Sequence, residues 1–245
     1  MIDIHCHILP EVDDGAKSWD IALAMFRMAH ADGIEHIVAT PHAHERWPYD
    51  RERMQLLLDE FRHRAGAGPT LTLGCDFQFS YDNLQALERN PQEFLIQNTH
   101  YLLVEFSNYS VPPQVDDTLL HLGELGITPI ITHPERNPIL QQNLRRVLRW
   151  AEMGCAVQVT ASALLGSWGE NSRQAAETLL DRNAVHVLAS DGHDLSRRKP
   201  ILSEGRVALA ELRDEETAKA LTDDNPRAIV AGQPLPYFPE PVVKA

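Results

Sequence analysis

Twelve histidines, 35 acids and three cysteines are spread over 245 residues, and their positions matter more than their number. Two histidines, His5 and His7, flank Cys6 at the end of an apolar alternation Ile2, Ile4, Cys6. A strand's side chains alternate with period two, so this pattern predicts Asp3, His5 and His7 on one face. Two imidazoles at a strand end can share a metal ion. Asp14 follows in an Asp13-Asp14-Gly15 turn that can curl a carboxylate back towards them. Taken alone, two histidines are more simply ordinary polar residues. The pattern gains weight because it recurs: His42, Asp76, Glu105, His133, Asp191 and His193 each lie at or just beyond the end of an expected strand.

Those strands are short aliphatic runs at 34–40, 71–76, 100–106, 127–132, 156–160 and 185–190, in addition to the N-terminal one. Between them lie helical patterns: 18–32 with Ser18 as N-cap, 48–64, 82–89, 115–125, 141–153 and 172–182, with further helices over 203–232. Strand and helix alternate about seven times at spacings near 30 residues. That is the signature of repeated βαβ units with parallel strands, about one unit short of an eightfold barrel. In such a barrel the C-terminal strand ends converge on one face, where active sites are built. The expected organisation is a single α/β domain over 1–232, followed by a proline-rich tail over 233–245 that is loosely attached.

Converging on that face, the nine candidates His5, His7, Asp14, His42, Asp76, Glu105, His133, Asp191 and His193 mix imidazole with carboxylate and need no thiolate. Such a set suits zinc, manganese or iron. Nine ligands are too many for one ion and suit two or three sharing bridging carboxylates, an arrangement that clamps the attacking and leaving oxygens of phosphoryl transfer. Arg136, Arg197 and Arg198 follow His133 and His193 closely, and a guanidinium binds phosphate oxygens bidentately. Of the last two, Arg198 is expected to point inward. His30, His36, His63, His100, His121 and His186 fit helix or strand faces and receive no role, and His44 is not counted as a ligand.

Composition sets the limits. The net charge of −13 argues against a nucleic-acid-coating surface. No signal peptide precedes the histidine pair, no apolar run reaches transmembrane length, and the three widely spaced cysteines suggest no disulfide framework. A soluble cytoplasmic protein is expected, with no membrane insertion and no nucleic-acid partner. None of Cys6, Cys75 or Cys155 has an arginine six residues later, which closes the Cys-x5-Arg route to phosphate ester hydrolysis. The four lysines, Lys17, Lys199, Lys219 and Lys244, all fall outside expected strands, against a carboxylated-lysine amidohydrolase.

His5-Cys-His7, Thr40-Pro-His42, Glu105, Thr132-His-Pro-Glu-Arg136 and Ser190-Asp-Gly-His193, in that order, resemble the polymerase-and-histidinol-phosphatase (PHP) superfamily. Within it the chain is most similar to the bacterial metal-dependent tyrosine phosphatases of capsule and exopolysaccharide operons. The resemblance implies a distorted (β/α)7 TIM-like barrel and three divalent ions, manganese first, with iron, cobalt or zinc as alternatives. One ion would take His5, His7 and Asp191, and would share residue 76 with a second ion held by Glu105 and His133. The third would take Asp14, His42 and His193, while Arg136 and Arg198 would hold the phosphate.

The implied substrate is a phosphotyrosine protein, the C-terminal tail of a bacterial tyrosine autokinase. Hydroxide made available by metal coordination would attack phosphorus in line, with Asp194 or a water as the source of any proton the leaving group needs. One position departs from the family: its Gly-x-Glu reads Gly74-Cys75-Asp76 here. Aspartate is one methylene shorter and is expected to serve one ion rather than two. Two rival readings share the same residues: a phosphatase for a small phosphomonoester such as histidinol phosphate, and a catalytically weak metal-binding module.

Overall fold

Aliphatic runs of three to five residues, buried on both faces, are the habit of strands in a helix-covered parallel sheet. The computed structural model describes residues 1–243. In it these runs form β1 (Ile2–Cys6), β2 (His36–Ala39), β3 (His42–Ala43), β4 (Thr70–Leu73), β5 (Asp76–Gln78), β6 (Tyr101–Glu105), β7 (Thr128–Thr132), β8 (Ala156–Thr160) and β9 (Val187–Ala189). The strands pair in parallel in two sheets, ordered β1-β2-β4 and β3-β5-β6-β7-β8-β9. Beyond the strand ends, the Asp191 N–H donates to the His5 carbonyl at 2.9 Å and the His7 N–H to the Gly192 carbonyl at 2.8 Å. These two bonds tie β1 to the chain leaving β9.

The helices are α1 (Trp19–Ala31), α2 (Arg51–Ala65), α3 (Tyr81–Arg89), α4 (Val115–Glu124), α5 (Pro138–Gln141), α6 (Leu144–Glu152), α7 (Ala161–Leu164), α8 (Glu170–Asp181), α9 (Ser203–Leu212), α10 (Glu215–Lys219) and α11 (Asn225–Val230). Ser18 caps α1 as expected, its side chain accepting from the Ile21 N–H. The expected strand 34–40 is found as β2, and beyond Pro41, which has no N–H to give a ladder, the chain makes the further short strand β3 that was not expected. The expected strand 71–76 is split at Gly74-Cys75. The helix expected over 141–153 is two helices, because Asn137 caps Ile139 and Leu140 and starts a turn early at Pro138.

Two buried clusters divide the interior. The larger joins helices to sheets, with Trp150, Phe61 and Leu58 fully buried. The smaller contains Ile2, Ile4, Val38, Tyr101, Leu103, Ile130, Ala156, Val187 and Ala189, all from strands, with Ile96 and Ile229 against them. Each fully buried aliphatic side chain of this kind stabilises the fold by about 1.5–3 kcal/mol. Period two carries three of these positions upward from apolar to polar: Leu103 to Glu105, Ala156 to Gln158 and Ala189 to Asp191. The polar site therefore stands on an apolar floor built by the same strands.

Strict alternation fails in β1. Its register with β2 shifts between Asp3 and Cys6, and Cys6 packs in the larger cluster while Ile2 and Ile4 pack in the smaller. Asp3 accordingly does not join the histidines. Its carboxylate receives the Ser190 hydroxyl and, at 3.0 Å, the Ser190 N–H.

The tail expected to be loose is pinned through several contacts. Tyr101 donates to the Gln233 carbonyl, Asn225 exchanges two bonds with Tyr237, Phe238 stacks on His186 at 4.0 Å, and the Val242 N–H donates to the Arg182 carbonyl. Lys244 and Ala245, the last residues of that tail, lie outside the described residues. No helix among the described residues is long and apolar enough to cross a membrane.

Candidate metal centre

The loop after β1 is built around Asp13. Its Oδ1 accepts the Gly15 N–H at 2.8 Å and its Oδ2 accepts the His42 N–H at 3.1 Å. Gly15 has to be glycine: a Cβ there would lie 2.2 Å from the His7 carbonyl oxygen and 2.5 Å from the His7 Cβ. The close approach lets Asp14 fold back over the strand ends. Two further site residues, His133 (φ 34°) and Asp191 (φ 50°), sit in the left-handed region, which costs a non-glycine residue roughly 1–3 kcal/mol and is typical of functional positions.

All nine side chains expected to converge do so. Their nitrogen and carboxylate atoms form four overlapping groups: His7, Asp14, His42 and His193; His5, His7 and Asp76; His5, His133 and Asp191; and His42, Asp76 and Glu105. Within each group the candidate ligand atoms lie within 4.8 Å of one another. Asp76 is fully buried, and its Oδ2 lies 3.2 Å from His42 Nδ1, 3.5 Å from His5 Nε2 and 3.9 Å from His7 Nε2. The shorter carboxylate thus belongs to two of the groups. None of His30, His36, His44, His63, His100, His121 or His186 enters a group.

Three of the imidazoles are held by their far nitrogens. His5 Nδ1 meets Gln158 Oε1 at 3.0 Å, His7 Nδ1 meets Asp13 Oδ2 at 2.8 Å, and His193 Nδ1 meets the Asp191 carbonyl at 2.8 Å. Each partner is an acceptor, so each Nδ1 carries the proton and each Nε2 presents a lone pair to the centre. His5 Nε2 and His7 Nε2 face one another at 3.2 Å. Asp14 Oδ1, His42 Nδ1, both oxygens of Asp76, Asp191 Oδ1 and His193 Nε2 are buried with no hydrogen-bond partner. Buried polar atoms are normally paired. Six such atoms of mainly acceptor character, facing one another and His5 Nε2 across 3.2–3.5 Å, fit a divalent cation. The donors are nitrogen and oxygen only; Cys6, Cys75 and Cys155 are buried and belong to no group.

The local charges divide these side chains, and a metal ion would have to displace the proton from those held protonated. Burial pushes the His7 imidazole down to about 3, helped by the neighbouring His193, leaving it neutral and able to ligate. Burial opposes protonation of His5, but Asp76 and Asp191 beside it raise it to about 9. Glu105 is raised to about 8 by burial and by Asp76. Burial also works against the Asp191 carboxylate, but Arg198 and Arg136 hold it well below the usual range.

Both arginines act on Asp191 Oδ2. Arg198 Nη2 donates to it at 2.6 Å, and Arg136 Nη1 donates to it and, at 3.2 Å, to Thr160 Oγ1. Arg198 is the inward member of its pair and Arg197 is exposed. Asp194, named with a water as a source of the leaving group's proton, is engaged in its own turn. Its Oδ1 accepts from the Ser196 N–H and hydroxyl and from the N–H groups of Arg197 and Arg198. Slight burial works the other way, but these donors keep its carboxyl below the ordinary range. A carboxylate tied in this way shapes the turn that carries Arg198 and is a poor proton donor.

Sequence reasoning missed Asp13, Gln158 and Trp168. Gln158 did leave a signal, as the one amide in the apolar run Ala156–Thr160, at a position that alternation places over Ala156. Trp168, whose ring centroid lies 3.8 Å from Arg136 Cζ, left none: a loop geometry carries that contact and no periodicity encodes it.

The family described as capsular polysaccharide synthesis, CpsB/CapC, matches residues 1–231. This chain belongs to the CpsB/CapC family. It is 31% identical over 242 residues to the tyrosine-protein phosphatase CpsB of Streptococcus pneumoniae, covering 95% of this chain and 99% of that one. It is 30% identical over 234 residues to the tyrosine-protein phosphatase YwqE of Bacillus subtilis (strain 168), covering 91% and 89%. Its fold superposes with a TM-score of 0.88, at 29% identity and 99% coverage of both chains, on a crystal structure from work on YwqE and CpsB as metal-dependent tyrosine phosphatases. The single-domain α/β architecture with parallel sheets is that of the solved family member.

Proposed function

We propose that this chain is a metal-dependent protein-tyrosine phosphatase of capsule or exopolysaccharide synthesis, acting on a phosphotyrosine tail of a bacterial tyrosine kinase in the cytoplasm. The observation that carries the proposal is the convergence of nine nitrogen and carboxylate side chains with six of their buried atoms unpaired. Family membership and the metal dependence of the solved relative support it. Three unpaired, buried cysteines favour a reducing compartment. The architecture we infer is a seven-stave barrel in which β2 with β3, and β4 with β5, each make one interrupted stave, closed by the bonds between β1 and the chain after β9.

Divalent ions, manganese first, would be held by His5, His7 and Asp191; by Glu105 and His133, with Asp76 shared between these two sets; and by Asp14, His42 and His193. Bound there, such ions supply Lewis acidity and make water acidic enough to attack near neutral pH. The protein's own part is positional. Asp13, Gln158 and the Asp191 carbonyl fix three imidazole tautomers. Arg136 and Arg198 bring planar donor forks to an incoming phosphoryl group and neutralise charge on its equatorial oxygens. A tyrosine leaving group, with a conjugate acid near pKa 10 (about the free phenol value), departs without a strong protein acid. This agrees with Asp194 being tied up as a carboxylate.

The test is turnover of a tyrosine phosphopeptide and of histidinol phosphate side by side, with manganese and after chelation. The expected result is metal-dependent release of phosphate with a higher kcat/KM for the phosphopeptide. Preference for histidinol phosphate, or no turnover with manganese, cobalt, iron or zinc, would overturn it.

A further inference from the structure

Neither β8 nor the segment that follows it contributes a side chain to the four groups, yet their residues touch much of what holds the site. Gln158 holds His5, Thr160 receives Arg136, and the Thr160 N–H donates to the buried Glu135. The same segment ends on Trp168, between Gly166 (φ 75°) and Gly169 (φ 86°). The indole N–H donates to Ser162 Oγ at 3.0 Å, which fixes the plane of the ring. Arg136 Cζ lies 3.8 Å from the ring centroid and Arg198 Cζ lies 5.5 Å from it. The two guanidinium groups come from different loops, after β7 and after β9, so no shared backbone holds them together. They meet at Asp191 and at this ring. A cavity of about 350 Å³ lined by Ser167, Trp168, Asp194, Arg197 and Arg198 opens beside them.

We infer that Trp168 is a positioning residue for the phosphate-binding arginines. Its ring holds Arg136 and Arg198 side by side, so that the two forks meet the oxygens of one phosphoryl group together. This rests on the assignment of the two arginines under Proposed function. An arginine side chain is flexible. Without the ring, Arg136 would keep Asp191 Oδ2 and Thr160, and Arg198 would keep Asp191 Oδ2 and a 3.6 Å approach to Asp14, but none of these sets one guanidinium plane against the other. A guanidinium lying over an indole face gains cation–π attraction and loses its freedom to swing. The ring acts through the arginines, so its effect should appear in the binding of any phosphate monoester and of phosphate itself.

The experiment is calorimetric titration of manganese-loaded protein with inorganic phosphate, on wild type, Trp168→Leu and Trp168→Phe. It is paired with KM for phenyl phosphate and for an alkyl phosphate monoester, and with the metal content of each protein. The expected result for Trp168→Leu is roughly 10-fold weaker phosphate binding and a similar rise in both KM values, with metal content unchanged. Trp168→Phe keeps a ring and should recover most of the loss, which also separates positioning from a general folding defect. Unchanged phosphate binding in Trp168→Leu, with a loss confined to phenyl phosphate, would show that the ring contacts the leaving group and would overturn the inference. So would a Trp168→Phe variant as weak as Trp168→Leu. Wild-type protein that loads manganese but binds no phosphate would instead remove the functional reading and this inference together.

Discussion

Asp13 Oδ2 lies 2.8 Å from Nδ1 of His7, and the same carboxylate receives the N–H groups of Gly15 and His42. One buried acid thus sets the tautomer of one candidate ligand, the backbone of a second and the turn that carries a third, Asp14. Groups behind the ligands of a metal typically account for 10–100-fold in its affinity. Asp13→Ala is therefore expected to weaken manganese binding by roughly that factor, measured by competition with a chelating dye on metal-stripped protein. Unchanged affinity would show that Asp13 only shapes the loop.

Asp76 occupies the most crowded position, fully buried and within 3.9 Å of nitrogen atoms of His5, His7 and His42. Asp76→Asn keeps the volume and removes the charge. It is expected to lower the number of manganese ions per chain, read by elemental analysis after gel filtration, and to lower turnover with it. Full stoichiometry in the variant would show that Asp76 is not shared between ions.

Arg136 tests the phosphate fork. Arg136→Ala is expected to lower kcat/KM on a tyrosine phosphopeptide by about 10²–10³-fold, the usual loss when a preorganised donor is removed from a transition-state site. Arg136→Lys restores charge but not the planar fork and should recover only part. Equal activity of Lys and Arg at this position would reduce the residue to a point charge.

Far from the centre, His186 offers a pH test of the fold. Burial pushes its imidazole down to about 3, and Nδ1 accepts the Val157 N–H at 3.0 Å. Between that value and the unfolded value near 6.5, the unfolded chain binds the extra proton. Stability from this group is complete above about pH 6.5 and falls as the pH drops towards 3. His186→Asn keeps an acceptor for Val157 without the titration. The stability difference, wild type minus variant, is expected to fall by about 2 kcal/mol from pH 7 to pH 5. Urea unfolding at the two pH values checks it, and a constant difference would contradict it.

What was legible in the chain follows from how the information is stored. The parallel α/β architecture and the convergence of the nine side chains could be read because all but Asp14, which a turn carries, sit at or just beyond the end of a short aliphatic run, and strand ends share one face. The strand beyond Pro41 and the break at Gly74-Cys75 were harder, since an interrupted strand and a continuous one have the same apolar pattern. Asp3 was misplaced because a register shift inside β1 cancels the alternation that would have grouped it with His5 and His7. Trp168 and the docked tail depend on long-range contacts with no local signature.

The most direct test of the central claim is anomalous diffraction at the manganese edge from crystals grown with manganese. The expected result is a cluster of anomalous peaks enclosed by His5, His7, Asp14, His42, Asp76, Glu105, His133, Asp191 and His193. A map at full manganese saturation with no peak among these side chains would contradict it.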